Sequence, residues 1–276
     1  MACGRGSYSP SAAVLVGAGD IASCASTGDE ETADLLDSIE GTVVALGDNV
    51  YESGTASEYA DCYDPSWGRH KGRTKPAPGN HDYLTPHATG YYGYFGAAAG
   101  DPTMGYYSYD LGAWHIIVLN SQCKAVVGDC VRDGEEVQWL RADLAAHSQT
   151  CTLAYWHHPR FSSGLNGSDV YVDEFWQALY EYHADVVLGG HDHDYERFAP
   201  QDPSGNADPR GIRQFVVGTG GGSHISIVSP IANSEVRDDE TYGVLQLTLH
   251  PKSYDWQFIP VAGSTFADSG SGACVE

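Results

Sequence analysis

Positively charged residues are scarce in this sequence. Lys and Arg total 14 against 37 Asp and Glu in 276 residues, which gives a formal net charge of -23. A surface this acidic repels polyanions, so we expect neither a nucleic-acid substrate nor an anionic membrane as a partner. The simplest role of the charge is to keep the protein in solution.

A long apolar run is also absent. No stretch approaches the roughly 20 apolar residues that a membrane-spanning helix needs, so no membrane span is predicted. Residues 1–10 lack the apolar segment of a signal peptide. If the protein is exported, we therefore expect this sequence to be the mature form with an added Met. The length fits one large domain, and we predict a single domain over residues 1–276.

Cysteine pairs of the CxxC type, which mark many metal and redox motifs, do not occur among the seven Cys. We expect disulfides between Cys123 and Cys130 across a short turn, between Cys24 and Cys62, and between Cys151 and Cys274, with Cys3 left over. Sequence alone does not determine the connectivity. Disulfides and a low Lys content favour a secreted or extracytoplasmic protein, and reduced thiols in a cytosolic protein are the alternative.

Several well-known catalytic motifs are missing as well. The sequence contains no P-loop, no GxSxG elbow and no protein-kinase motif set. Gly220-Gly221-Gly222 lacks the surroundings of a phosphate-binding loop, and the segment after residue 200 shows no cluster of candidate ligands. Catalytic residues are therefore expected earlier in the chain.

The sequence does contain polar residues directly after apolar strand patterns. The clearest case is Gly189-Gly190-His191-Asp192-His193, which follows the apolar residues 185–188. The two glycines let the backbone bend, so both His side chains can turn toward one point. Imidazole is a common ligand of Zn and Fe, so the pair is a candidate metal site. Taken alone, the pattern also fits a polar loop with two incidental His.

Similar arrangements occur earlier in the chain. They are Gly19-Asp20 after a strand, Gly47-Asp48 after a strand with Tyr51 following, Gly79-Asn80-His81-Asp82, and His157-His158 after the strand over residues 151–156. Proteins with parallel sheets place ligands at the carboxyl ends of their strands. We therefore expect these side chains to lie close together.

Helix signals separate the strands. Thr27 with Glu30 and Thr55 with Glu58 have the spacing of a capping box. Apolar residues at helical spacing predict helices over residues 134–147 and 173–183. A buried strand over residues 114–120 contains His115, which we interpret as a core histidine with satisfied hydrogen bonds.

Together the strand ends offer two carboxylates, an amide, a phenol and at least three imidazoles. That set is sufficient for two metal ions that share one carboxylate. A two-metal centre suits displacement at phosphorus, because the ions generate a hydroxide, hold the phosphoryl oxygens and stabilise the leaving group.

These motifs, in this order, resemble the calcineurin-like metallophosphoesterases, and most closely the purple acid phosphatase branch. The resemblance spans about residues 14–198. It implies an α/β fold, a four-layer α/β/β/α sandwich of two mixed sheets with helices outside. On this basis we expect the metal motifs within residues 14–198, and we expect residues 199–276 to complete the second sheet.

The resemblance also implies two ligand sets, Asp20, Asp48, Tyr51 and His193 for metal one, and Asp48 as the bridge, Asn80, His157 and His191 for metal two. Many metallophosphoesterases have a His two residues after the first Asp, where this chain has Ala22. The resemblance to the purple branch implies that Tyr51 supplies the missing ligand. The expected metals are Fe(III) at site one with Zn, Mn or Fe(II) at site two. A packing role is the alternative for Tyr51.

The implied function is hydrolysis of phosphate monoesters, on a small phosphorylated substrate, by attack of a metal-bound hydroxide. A phosphodiesterase or phospholipase-like enzyme is the alternative, and a non-catalytic metal-binding or glycan-binding module is a further one. The oligomeric state is not predicted.

Catalytic roles are expected for two histidines beside the ligands. His81 adjoins Asn80 and should reach the substrate as a general acid or a phosphate donor, with an orienting role as the alternative. His158 is a second catalytic candidate, although its side chain could point toward the site or away from it.

Arg160, Tyr195 and Arg197 are candidates for the mouth of the site, with a structural ion pair as the alternative for Arg197. Asp82 stands where the large plant-type enzymes usually have Glu.

Overall fold

The computed structural model describes residues 12–122, 125, 130–147 and 151–275. Within those ranges the strands are β1 (Ala13–Ala18), β2 (Ala22–Ser23), β3 (Thr42–Leu46), β4 (Val50–Tyr51), β5 (Thr74–Ala77), β6 (Tyr107–Leu111), β7 (Trp114–Val118), β8 (Cys151–Tyr155), β9 (Val186–Gly189), β10 (Tyr195–Phe198), β11 (Arg213–Val217), β12 (Ser234–Asp238), β13 (Gly243–His250), β14 (Ser253–Pro260) and β15 (Ser269–Ala273). The α-helices are α1 (Gly28–Asp37), α2 (Ala56–Glu58), α3 (Thr89–Phe95), α4 (Glu135–Ala146) and α5 (Asp173–Glu181). No helix in this part of the chain combines the length and apolar character that crossing a membrane requires.

Two large mixed sheets organise the fold, as the sequence predicts. The first has the order β15-β14-β13-β1-β3-β5, and its strands β1, β3 and β5 run parallel. The second has the order β12-β10-β11-β9-β8-β7-β6, and β7, β8, β9 and β11 run parallel. The segment 199–276 contributes to both sheets and not to the second alone, because β13 pairs antiparallel with β1 and brings β14 and β15 into the first sheet.

The apolar core divides according to the two faces of the second sheet. Along β7, Ile116 and Val118 belong to the cluster that also contains strands of the first sheet, whereas Ile117 packs with the other cluster. That second cluster contains the apolar residues of α4 and α5. Alternate residues of a strand point to opposite faces, so one face meets the first sheet and the other meets the helices. The layers agree with the expected four-layer sandwich.

The two predicted capping boxes have different outcomes. Thr55 accepts a hydrogen bond from the backbone of Glu58, whose side chain in turn accepts one from the Thr55 backbone, so this box forms before α2. Thr27 does precede α1, but its side chain makes no capping hydrogen bond. Its φ of -121° and ψ of 8° lie outside the extended region that an N-cap side chain normally needs. The predicted start of the helix is thus confirmed, and the prediction that the Thr27 side chain caps it is wrong.

Strand β5 has no clear signal in the sequence because Pro76 interrupts it. The strand lies at the edge of the first sheet, where β3 is its one partner among the described strands. A proline lacks an N–H donor and is tolerated at such an edge. Tyr91 and Tyr107 both donate hydrogen bonds of 2.9 Å to the Pro76 carbonyl and so hold this edge strand in place.

Two of the expected disulfides are present. Cys24 pairs with Cys62 and Cys151 pairs with Cys274, with Cα–Cα distances of 5.1 and 5.7 Å. The predictions for Cys123 with Cys130, and for an unpaired Cys3, involve residues 123 and 3, which lie outside the described residues.

Asp185, beside the Cys151–Cys274 disulfide, makes stability depend on pH. Burial raises the pKa of Asp185 from 3.8 to about 6, although its carboxylate accepts hydrogen bonds from the backbones of Thr152 and Val275. The folded state then binds more protons than the unfolded state between these two values. We therefore expect the free energy of unfolding to fall by up to about 3 kcal/mol as pH rises from about 4 to above 6. Urea unfolding at several pH values should show this slope in the wild type and a smaller slope in Asp185→Asn; equal slopes would contradict the assignment.

Candidate metal centre

The carboxyl ends of strands from both sheets converge at one place. Backbone hydrogen bonds connect the loops there: Gly19 donates to Val217, Asp20 to Gly47, and Gly190 to His157. The convergence brings together all seven residues predicted as metal ligands, Asp20, Asp48, Tyr51, Asn80, His157, His191 and His193.

The backbone at this edge is unusual for residues that carry side chains. Asp20, Asp48 and His191 have φ values of 58°, 46° and 72°, in the left-handed region. Non-glycine residues rarely adopt this conformation, and where they do, the surrounding structure commonly enforces it at functional sites. A side chain at position 79 would place its Cβ 2.2 Å from the Asp48 backbone N and Oδ1, so glycine there permits the close approach of the two loops.

Asp20, Tyr51 and His193 form the first group of donor atoms. The Tyr51 hydroxyl donates to Asp20 Oδ1 at 2.8 Å and lies 3.0 Å from His193 Nε2. His193 Nε2 is in turn 3.3 Å from Asp20 Oδ1. The three side chains thus direct one oxygen or nitrogen atom each toward a common point.

Asp48, Asn80 and His157 form the second group. His157 Nε2 lies 3.2 Å from Asp48 Oδ2 and 3.1 Å from Asn80 Oδ1. Ligand atoms of Asp48, His157 and His191 all lie within 4.8 Å of one another. Asp48 Oδ2 is also 3.4 Å from the Tyr51 hydroxyl, so this carboxylate lies between the two groups.

Hydrogen bonds on the far side of two imidazole rings fix which nitrogen faces the centre. His157 Nδ1 donates to the Leu46 carbonyl at 3.0 Å, and His193 Nδ1 donates to the Ser223 carbonyl at 2.9 Å. Each ring therefore presents Nε2 to the centre, the arrangement typical of metal-binding histidines. Sequence reasoning missed Ser223, because it assigned no ligand cluster to the segment after residue 200.

The centre is electrostatically matched to positive charge. Asp20 and Asp48 are almost completely buried. Burial raises the pKa of the Tyr51 hydroxyl well above its usual value, and the adjacent Asp20 and Asp48 raise it further. Burial opposes protonation of His157, but Asp48 and Asp20 outweigh that effect and raise its pKa to about 9. Buried carboxylates that attract protons onto their neighbours are suited to bind cations.

His81 lies at the edge of this centre. Its Nδ1 donates to the Glu52 carbonyl at 2.6 Å, which leaves Nε2 as the atom directed at the centre, 3.9 Å from Asp48 Oδ2. The side chain is 28% exposed and borders the cleft above the ligands. This position is compatible with the predicted contact to substrate.

His158 does not border the cleft. Its Nδ1 lies 2.7 Å from Ser121 Oγ and its Nε2 lies 3.3 Å from Gln122 Nε2, so both ring nitrogens have neighbours. Its ring packs against those of His157 and His191, with centroids 5.0 and 4.3 Å apart. Burial, and then the two neighbouring imidazoles, lower its pKa well below the usual value. This geometry favours a role in positioning the rings of His157 and His191 over the expected direct role in catalysis.

Asp82 holds two of the ligand loops together. It is fully buried and accepts hydrogen bonds from the Gly79 backbone, the Asn49 side chain and the Tyr59 hydroxyl. Burial and the nearby Asp48 raise its pKa to about 6. The Asn49 backbone N–H is a fourth donor, 3.4 Å from Asp82 Oδ2, so four donors surround this carboxylate.

A cleft of about 540 Å³ opens above the two groups. It is bordered by Ser23, Ala25, Ser26, Asp48, Tyr51, Glu52, Asn80, His81, Asn166, His191, His193, Gly222, Ser223 and Ile225.

Arg160, Tyr195 and Arg197 are absent from this border. Arg160 instead pairs with Asp173, and Arg197 and Tyr195 both donate to Asp268. The alternative interpretation of Arg197 as a structural ion pair is therefore confirmed.

A second His and Asp cluster lies on β6, β7 and α4. His115 lies between Asp110 and Asp143, with Nδ1 3.0 Å and Nε2 2.7 Å from their carboxylate oxygens. Burial lowers the pKa of His115, but the two carboxylates outweigh burial and raise it. The prediction that His115 is a core histidine with satisfied hydrogen bonds is confirmed.

The part of the chain that contains the proposed ligands also matches known proteins. Residues 15–195 match the sequence model of the calcineurin-like phosphoesterase family. Purple acid phosphatase 15 of Arabidopsis thaliana is 31% identical over 122 residues, which cover 42% of this chain and 22% of that protein. Acid phosphatase A of Cryphonectria parasitica is 26% identical over 201 residues, which cover 63% and 40%. The chain thus spans well under half the length of these curated relatives.

Solved structures share the fold at low sequence identity. Purple acid phosphatase PPD1 from yellow lupin (Lupinus luteus) seeds superposes with a TM-score of 0.72 at 18% identity, covering 96% of this chain and 54% of that one. GAP50, the anchor in the inner membrane complex of Plasmodium, superposes with a TM-score of 0.73 at 13% identity, covering 96% and 90%. Since the family model matches residues 15–195, most of the chain, this protein belongs to the calcineurin-like phosphoesterase family.

Proposed function

We propose that this protein hydrolyses phosphate monoesters with two metal ions held at the centre described above. The observation that carries the proposal is the position of Asp48 Oδ2, 3.4 Å from the Tyr51 hydroxyl and 3.2 Å from His157 Nε2. One carboxylate oxygen between two groups of donors suits a bridging ligand. The purple acid phosphatases among the relatives imply a binuclear centre for the same motifs.

The donor atoms fit the proposed ions. Asp20, Tyr51 and His193 offer two hard oxygens and one nitrogen to site one, and Asn80, His157 and His191 offer one oxygen and two nitrogens to site two. Asp48 completes both sets. Mixed oxygen and imidazole donors suit Fe, Zn and Mn. When bound, the ions would supply Lewis acidity and an activated water for attack at phosphorus.

The protein's own residues would complete the chemistry. His81 presents Nε2 to the cleft because Nδ1 is held by the Glu52 carbonyl. In that position it can donate a proton to the leaving-group oxygen, provided that it enters the reaction protonated. Since neither Lys nor Arg is among the described residues that border the cleft, positive charge for the phosphate would come from the metals and His81.

Tyr51 bears on the identity of metal one. A phenolate is a hard oxygen donor that suits Fe(III), as proposed for site one, with Zn, Mn or Fe(II) at site two. We expect the iron-loaded protein to be pink to purple with a broad visible absorption band. Tyr51→Phe should remove that band and keep the circular dichroism spectrum, because only the hydroxyl is lost.

Tyr59→Phe is a matched control for this spectrum. Tyr59 is also buried, and its hydroxyl donates to Asp82, but it does not contact the proposed ligand atoms of site one. The control should therefore keep its colour. A Tyr51→Phe protein that retains the band, or an iron-loaded wild type without one, would show that Tyr51 is not a ligand of Fe(III).

Monoester specificity can be tested with two aryl substrates. We expect higher kcat/KM for nitrophenyl phosphate than for bis-nitrophenyl phosphate with the metal-loaded protein. A preference for the diester would favour the phosphodiesterase or phospholipase-like alternative. A metal-loaded protein inert to both would favour a non-catalytic role; GAP50, described as an anchor, shares the fold.

Export is part of the proposal. The Cys24–Cys62 and Cys151–Cys274 disulfides support a secreted or extracytoplasmic location, where such bonds persist. Thiol titration of protein purified without reductant should find these four cysteines oxidised, and reactive thiols at these positions would contradict export.

A further inference from the structure

Loops that adjoin the cleft carry four large exposed hydrophobic side chains. In the described part of the chain, the large hydrophobic side chains exposed to solvent are Leu84, Val131, Leu165, Val170, Tyr171, Val228 and Ile231. Leu84, Leu165 and Val228 are 62%, 68% and 66% exposed. These three and Ile231 lie on loops that are bonded to, or continuous with, residues of the metal centre.

The first of these loops follows His81. The Leu84 backbone N–H donates to the His81 carbonyl at 3.2 Å, so Leu84 is one turn from the proposed proton donor. The second loop contains Leu165, which precedes Asn166. Asn166 borders the cleft and donates from its side chain to the His191 carbonyl at 3.0 Å.

The third loop covers residues 223–231 and lies against the second. Ile225 borders the cleft, and its backbone N–H donates to the His193 carbonyl at 3.3 Å. Farther along, Val228 donates to the Ser163 carbonyl and Ile231 to Ser163 Oγ, each at 3.0 Å. We call Leu84, Leu165, Ile225, Val228 and Ile231 the apolar rim.

The described border of the cleft has no Lys or Arg side chain that could bind a negatively charged leaving group. Glu52 adds negative charge at the mouth. A second phosphate or a carboxylate on the leaving group would therefore be repelled with no cationic partner. Exposed apolar side chains grouped on neighbouring loops, by contrast, are candidates for a binding surface. The net charge of -23 opposes an anionic membrane as the occupant.

We propose that the apolar rim binds the leaving group of the substrate, and that the preferred substrates are phosphate monoesters of uncharged apolar alcohols. This inference rests on the proposed phosphatase function, because the loops that carry the rim also border the cleft in which the phosphate would bind. Burial of one methylene group contributes about fourfold to binding, so a partly exposed rim should contribute about twofold to fourfold per methylene.

The test is a chain-length series of n-alkyl phosphates. We expect kcat/KM of the metal-loaded wild type to rise from ethyl through butyl to hexyl phosphate, by more than about tenfold in total. The ratio of kcat/KM for hexyl to that for ethyl phosphate should fall at least threefold in the double variant Leu165→Asn/Val228→Thr. Both side chains are exposed, so the fold should tolerate these changes.

Val131→Thr is the matched control, because Val131 is 52% exposed and lies just before α4, outside the three loops that carry the apolar rim. It should keep the wild-type ratio. The rim assignment would be overturned if kcat/KM did not rise with chain length, or if the double variant kept the wild-type ratio. As long as every ester is still hydrolysed, neither result would contradict the phosphatase function. No hydrolysis of any ester would overturn both proposals.

A lipid surface is the competing occupant. Sedimentation with uncharged phosphatidylcholine vesicles should leave the wild type in the supernatant. Binding to these vesicles that is lost in Leu165→Asn/Val228→Thr would assign the rim to a lipid surface and overturn its role in holding a leaving group.

Discussion

Asp48→Asn should lose both metal ions and lower kcat/KM by more than about 100-fold, since loss of an outer partner of a ligand already costs 10–100-fold. The carboxylate of Asp48 has one oxygen between Tyr51 and His157, and its other oxygen accepts from the His81 backbone at 2.8 Å. An amide of the same shape removes the negative charge and replaces one oxygen with an NH₂ group, which cannot coordinate a cation. Elemental analysis and steady-state kinetics measure the two effects.

Asp192→Asn is the matched control for this substitution. Asp192 is equally buried and lies between His191 and His193 in the sequence, but it accepts hydrogen bonds from Ser162 and the Asn166 backbone and does not face the donor groups. An Asn side chain can keep one of these contacts through its oxygen and can donate to the serine. We expect this variant to retain most of its metal. Equal losses in the two variants would count against Asp48 as the shared ligand.

His81→Asn should keep its metal and lower turnover of an alkyl phosphate by roughly 10²–10⁴-fold, the usual range for a positioned acid or base. The Asn side chain can replace the Nδ1 donor to the Glu52 carbonyl, so the loop is expected to keep its position, but it has no group at Nε2. The loss should be smaller for nitrophenyl phosphate, because its leaving group departs without protonation.

His87→Asn provides the comparison for His81. His87 lies on the neighbouring loop, is exposed, and has a φ of 58° that Asn tolerates well. Its substitution should change neither metal content nor rate. If His81→Asn slowed both substrates by the same factor, the general-acid role would be wrong and a phosphate-binding or orienting role would remain.

Six of the seven proposed ligands could be found from the sequence because they lie in local patterns. An apolar strand that ends in Gly-Asp, or in Gly-Gly-His, places a polar side chain at the strand end whatever the distant packing is. Tyr51 required more than a pattern. It was singled out by the resemblance, given Ala22 where many relatives have His, and the structure places its hydroxyl within 3.0 Å of His193 Nε2.

Other features depend on contacts between distant residues, and the sequence could not provide them. The pairing of β13 with β1 sends the last three strands into the first sheet, and neither strand's own residues indicate that partner. The Gly220-Gly221-Gly222 stretch lacks the surroundings of a phosphate-binding loop, yet the loop it belongs to brings Ser223 to His193. Its glycines fit because the chain packs tightly: a Cβ at position 222 would lie 2.8 Å from the Tyr51 ring.

The orientation of His158 was equally inaccessible to sequence reasoning. Its neighbour His157 faces the centre, and in an extended chain the next side chain points the other way. Whether that direction leads to solvent or into the protein is decided by Ser121 and Gln122, which come from a different strand end. A short pattern around residue 158 carries no information about them.

The most direct test of the account is the metal content of the purified full chain, measured by elemental analysis and compared with its turnover of nitrophenyl phosphate. The account predicts two metal ions per chain, loss of turnover when a chelator removes them, and recovery when Fe and Zn are restored. One ion or none in a fully active protein, or undiminished turnover after complete removal of metal, would contradict the two-metal centre around Asp48.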